Sequence, residues 1–244
     1  MGFVDWLKNL GSDVGDVLGD AWNITVESTT SLFSFVAKHS SDIWDRIIIR
    51  LQGRTIVILG DRSVGKTSLH SFLQTGTLPD EYTQTVVAER VQSVRKRLAQ
   101  LELSLKPTVD LPGGSDALPM WKKAFEDADT ILYLVNAPKL LADDFNTINR
   151  LKRDTRAIRK WLDETKDKKG LPTKSVIIIG TFADQDPDFS FRKSADYKDK
   201  FLENEELDDA LARLGNVPVV VGSLQDITHT EYLVLWAFQT LASI

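Results

Sequence analysis

Gly60-Asp61-Arg62-Ser63-Val64-Gly65-Lys66-Thr67 follows directly on the apolar run Thr55–Leu59 and opens an amphipathic stretch, Lys66–Gln74. It is a complete match to G-x-x-x-x-G-K-[ST], in the strand–loop–helix context that the pattern requires. The residue types state a chemistry. Gly65 lets the loop amides turn inward, so that these N–H groups and the helix N-terminus cradle phosphate oxygens. Lys66 reaches the terminal phosphates, and the Thr67 hydroxyl is suited to ligate Mg²⁺. Gly60, Asp61, Ser63, Val64 and Ser68 complete the lining of this site. The bland alternative is a glycine-containing strand–helix turn without a ligand, and the flanking strand and helix weigh against it.

Outward from the loop, short apolar runs alternate with amphipathic stretches. The reading gives strands Thr130–Asn136, Ser175–Gly180 and Val217–Gly222, with helices near Asp144–Glu164, Tyr197–Leu214 and Asp226–Leu241. A hairpin is expected from Val86–Val94 and Leu98–Val109 around Arg95-Lys96-Arg97. Runs such as Val176-Ile177-Ile178-Ile179, separated by helices, are what a parallel sheet covered on both faces requires. The fold class is therefore α/β, doubly wound, with a mostly parallel sheet, one antiparallel edge hairpin and N-terminal helices.

The composition excludes several classes. Cysteine is absent, which removes disulfide scaffolds, thiolate catalysis and Cys-ligated metals. Thirty Lys+Arg against 35 Asp+Glu leave a net charge of −5, so a nucleic-acid partner is not expected. No apolar run approaches the roughly 20 residues of a membrane span, and Asp5, Asp13, Asp16 and Asp20 interrupt the start, so no secretory signal is expected. A cytoplasmic location follows as the expectation. The three histidines, His39, His70 and His229, show no metal-ligand spacing.

The texture changes near Gln52-Gly53, dividing the chain into a helical extension, 1–51, and an α/β domain, 52–244. Phe3, Leu7, Leu10, Val14, Val17 and Ala21 share one helical stripe, as do Phe33, Val36, Ser40, Ile43 or Trp44, Ile47 and Leu51. Glycines at 11, 15 and 19 either break the first helix or admit another surface, since each costs about 0.5–1 kcal/mol against alanine. The polar face is acidic, with Lys8 the only base before Lys38. Protein contact or intramolecular docking thus ranks above lipid, with peripheral membrane contact the lesser option. The charge runs Arg150, Lys152, Arg153, Arg156, Arg159, Lys160 and Glu203–Asp209 read as solvated helix faces.

Thr85 lies eighteen residues after Thr67, and Asp110-Leu111-Pro112-Gly113 follows twenty-five residues later at a strand end. With the loop, this order resembles the small GTPases of the Ras superfamily, over residues 54–244; Gly60-Asp61 with Val64-Gly65-Lys66 looks most like the Rab-type loop. The resemblance implies GTP/GDP and Mg²⁺ as cofactors, with Thr67, Thr85 and Asp110 at the metal and Thr85 and Gly113 reading the γ-phosphate. Thr181-Phe182-Ala183-Asp184 stands where the family has N-K-x-D. Asp184 keeps the carboxylate that accepts from guanine N1–H and N2–H₂, while Phe182 replaces the lysine that packs on the base. Gly222-Ser223-Leu224-Gln225 resembles the last base-contacting loop, which contributes backbone N–H. Ser223 and Leu224 are its site residues.

Hydrolysis departs from the family pattern. Gly114 occupies the place of the glutamine that orients the attacking water. Arg62 either lies toward the γ-phosphate as a cis arginine or, the reading favoured here, points to solvent and obstructs a partner's arginine. The candidate catalytic set is Lys66, Thr85, Gly113, Gly114 and Arg62. Two functions stay open: a guanine-nucleotide switch that binds protein effectors or regulators, and a pseudo-GTPase scaffold with little nucleotide cycling. A phosphotransferase or ATPase is disfavoured, since Asp184 sits in the guanine-reading position.

Overall fold

The computed structural model of the chain describes residues 44–45, 47–79, 95–106, 118–166, 173–190 and 194–242. The stripe and glycines of residues 1–21, and the arm Val86–Val94, lie outside them. Among the described residues, β1 (Thr55–Gly60), β2 (Ser104–Lys106), β3 (Thr130–Asn136), β4 (Ser175–Thr181) and β5 (Val219–Val221) form one sheet in the order β2-β1-β3-β4-β5. Every pair in it is parallel, with Gly60 opposite Leu134 and Ile178 opposite Val219. The helices are α1 (Lys66–Thr75), α2 (Leu118–Glu126), α3 (Ala137–Leu141), α4 (Phe145–Glu164), α5 (Ser194–Leu202), α6 (Glu205–Leu214) and α7 (Ile227–Ala242). Residues 47–51 and 95–101 are helical as well.

Alternate residues of a strand face opposite sides, and both sides are apolar here. Ile56, Ile58, Leu132, Leu134, Ile177 and Ile179 bury against α1 and α7. Val57, Leu59, Ile131, Tyr133, Val135 and Ile178 bury against α2, α4, α5 and α6. The connection through α1 thus runs over one face, and those through α2 and α4 over the other. The reversal falls beside β1, and the crevice at such a point, at the C-terminal ends of the strands, is where ligands bind in this architecture.

Two expectations are corrected. Residues 95–101 are a helix, not a hairpin arm, and β2 pairs parallel with β1. Leu98 and Leu101, three apart, are both buried in the α1–α7 layer. That spacing matches one helical face, whereas a strand would send them to opposite sides. The single helix expected over Tyr197–Leu214 is two. Asn204 adopts an extended conformation and its side chain accepts from the Leu207 N–H, 3.1 Å, capping α6.

The chain just before Gln52 belongs to the core. Trp44, Ile47 and Leu51 are buried among the α1 and α7 side chains, while Ile49 is 79% exposed. Trp44→Ala is expected to cost about 3–5 kcal/mol in urea unfolding, as removal of a buried aromatic does. Ile49→Ala should stay within about 0.5 kcal/mol.

Candidate functional site

β1 ends at Gly60, whose φ of 143° and position both demand glycine. A Cβ there would stand 2.5 Å from the Leu134 carbonyl oxygen of β3. The chain then turns through Ser63 (φ 54°) to Gly65 (φ 90°), two left-handed residues that wrap the backbone around a concavity. Lys66 is buried, and its Nζ donates to the Asp61 carbonyl, so the ammonium arches back across the loop. Gly65 caps α1 without a side-chain hydrogen bond, and no acidic residue stands in the first turn. The positive end of the helix is therefore left to an outside anion. These features fit a phosphate group. Thr67 and Arg62 are exposed beside them, and Ser68 is half-buried. Thr85, Asp110, Gly113 and Gly114 lie outside the described residues.

The second half of the site is tied to the first. Thr181, fully buried at the end of β4, has its hydroxyl 3.0 Å from the Val64 carbonyl and 3.2 Å from that of Val135. One proton is shared between two acceptors, linking the phosphate loop to β3 and β4. Phe182 follows in a left-handed conformation (φ 61°), half-buried, and opens a short 3₁₀ turn that carries Asp184 into solvent. A side chain of that bulk rarely adopts this backbone region. The Ala183 N–H donates to the Gly222 carbonyl, 3.1 Å, and the Gly222 N–H to that of Gly180, 2.9 Å. The loops after β4 and β5 are thereby bound together. Ser223 is buried and accepts from the Gln225 N–H at 2.9 Å. Leu224 lies over Gly65, where a Cβ on the glycine would meet its Cδ1 at 2.5 Å.

The structure thus brings Gly60–Thr67, Thr181–Asp184 and Ser223–Leu224 to one edge of the sheet. It also adds residues that the sequence reading passed over. Arg150 is not on a solvated face: it is buried, and pairs with Asp61 of the loop. Its spacing of four to Asp154 on one helix was the available signal. Asp226 caps α7, accepting from the His229 N–H at 2.9 Å and pairing with Nδ1 at 2.7 Å. Its bond to Asp226 raises the His229 pKa, with a smaller contribution from the Asp184 carboxylate, and the same bond lowers that of Asp226.

A parallel sheet of this order, with the phosphate loop at the reversal and the β4 and β5 loops converging on it, is the fold of the small P-loop GTPases. Among solved structures, the chain is similar to the ADP-ribosylation-factor-like GTP-binding protein, small COPII coat GTPase SAR1, of Encephalitozoon cuniculi in complex with GDP. The two share 13% identity over 86% of this chain and 87% of that one, with a TM-score of 0.50. Another similar structure is the GDP form of the signal recognition particle receptor SRb of Chaetomium thermophilum, 12% identical over 77% of this chain and 98% of that one, TM-score 0.46. No protein-family model matches the sequence, and no curated protein matches it.

Thr181→Val is expected to cost about 1–3 kcal/mol in urea unfolding, because two buried carbonyls lose a donor. The Asp226–His229 pair makes a pH prediction. A raised histidine pKa gives stability that is full below 6.5 and lost as pH rises through the folded value; a lowered aspartate pKa gives stability present above 3.8 and lost in acid. Replacing His229 with Gln should therefore lower the melting temperature more at pH 5 than at pH 8.

Proposed function

We propose that the chain is a guanine-nucleotide-binding switch with slow, Mg²⁺-dependent GTP hydrolysis, whose surface for protein effectors or regulators changes between the GTP and GDP states. One observation carries this reading: a phosphate-shaped loop with a buried lysine is hydrogen-bonded through Thr181 to the turn that bears Asp184. A phosphate cradle and a carboxylate suited to guanine share one edge of the sheet. The GDP in the SAR1 structure of the same fold supports it.

Within this reading the loop amides and Lys66 hold the phosphates. Asp184 accepts from guanine N1–H and N2–H₂, which adenine does not offer in the same pattern, and an unmatched polar contact discriminates strongly. Leu224 presents its backbone to the base while its side chain covers Gly65. Thr67, with Thr85 and Asp110, would hold Mg²⁺, which when bound neutralises charge on the phosphate oxygens. Gly114 lacks a side chain to orient water, so hydrolysis is slow; Arg62, exposed, obstructs an arginine from a partner. Residues 1–51 are an extension whose end docks on the α/β domain through Trp44, Ile47 and Leu51 and whose remainder meets a partner or, peripherally, a membrane. Among the described residues no helix is long and apolar enough to cross one.

Titration of nucleotide-stripped protein with fluorescent GTP, GDP and ATP in Mg²⁺ tests the proposal. The expected result is binding of GTP and GDP over ATP, weakened roughly tenfold or more by Lys66→Ala, with guanine preference lost in Asp184→Ala. Single-turnover hydrolysis should be slow and should quicken in Gly114→Gln. Equal binding of ATP would sink guanine recognition, and no binding of any nucleotide would leave a scaffold that keeps the fold alone.

A further inference from the structure

Arg150 lies on α4 with 8% of its side chain exposed, an expensive place for a guanidinium unless its charge is met. Its Nε is 2.6 Å from Asp154 Oδ2, its Nη1 is 3.3 Å from Asp61 Oδ1, and its Cζ lies 5.0 Å from the ring centroid of Trp121. Asp154 is fully buried; it also meets Arg153 at 3.2 Å and accepts the Tyr133 O–H at 3.2 Å. Burial pushes the Asp154 carboxyl above the usual aspartate range even beside two arginines. Two arginines face two aspartates, and the charges balance.

Asp61 is the unusual member of this cluster. Its carbonyl takes the Lys66 ammonium, while its carboxylate belongs to a loop shaped for anions. A carboxylate there repels phosphate unless a cation neutralises it. A cavity of about 40 Å³, lined by Asp61, Arg62, Asn136, Thr147 and Arg150, separates the loop from α4. The ion pair spans this gap and links two elements that are not close-packed at that point.

Resting on the nucleotide-binding reading above, we propose that Arg150 is a positioning residue of the phosphate site: it neutralises the Asp61 carboxylate and tethers the loop to α4. The loop is thereby held open to an anion, and the state of α4 is coupled to nucleotide affinity.

The test uses the full chain as wild type, R150M, D61N and the double variant, with GDP titration and with amide exchange of residues 61–65 in ligand-free protein. R150M should weaken GDP roughly tenfold or more, the usual cost of leaving a charge without its partner. In the D61N background, where the carboxylate and its tether are already gone, R150M should change GDP affinity by no more than about threefold. Both single variants should speed exchange in the loop, because either breaks the tether. A loss in R150M that D61N does not relieve would overturn the proposal, since Arg150 would then serve only Asp154 and α4. Wild-type affinity in R150M would overturn it as well. Should the wild type bind no guanine nucleotide, the switch reading fails, and exchange decides the tether alone: unchanged in R150M overturns it, faster in both single variants supports it.

Discussion

The site depends first on the approach of Gly60 to β3. With φ at 143° and the Leu134 carbonyl where a Cβ would stand, this position tolerates no side chain. Because β1 ends there, against the middle of the sheet, the chain turns across the C-terminal ends of the strands instead of continuing beside them. α1 then begins at Gly65 with its N-terminal amides aimed at the turn. The positive end of a helix and a loop of inward amides thus arise from one backbone bend.

What surrounds that bend sets its charge. Lys66 and Asp61 lie within the loop, and Arg150 reaches it from a different helix. An anion-binding concavity needs fixed donors that are not neutralised by its own residues; the Asp61 carboxylate runs against this, and the buried Arg150 answers it. A pair buried on one side only is screened less than a surface pair. The link between α4 and the loop therefore persists where the solvated pairs of α4, such as Arg159–Asp163, contribute little.

The loops after β4 and β5 are held to the first loop by a few buried bonds. Thr181 ties the phosphate loop to the sheet by its hydroxyl alone. Phe182 keeps a left-handed backbone despite its bulk, so the turn that presents Asp184 is held by its neighbours, the Gly222 carbonyl among them, and not by local preference. Leu224 is used for packing over Gly65.

The loop, the apolar strands and the spans of α1, α4 and α7 were legible in the sequence, whereas α2 and α3 were not, because the legible signals are local: glycine where φ is positive, a lysine and threonine at fixed offsets, apolar runs bounded by turns. β3 was legible to the residue for this reason. The break at Asn204 carried a capping signal of the same local kind. Tertiary structure alone decided what depends on which segments meet. Leu98 and Leu101 are helical because their burial against α1 and α7 selects one face, a choice that a seven-residue stretch does not fix by itself. Thr181 and Val64 are 117 residues apart, and Arg150 is 89 residues beyond Asp61. No periodicity within a helix tells that an arginine in a basic run will turn inward. That is settled by a carboxylate brought under it by the path of β1, since burying the charge is favourable only where the partner is already held.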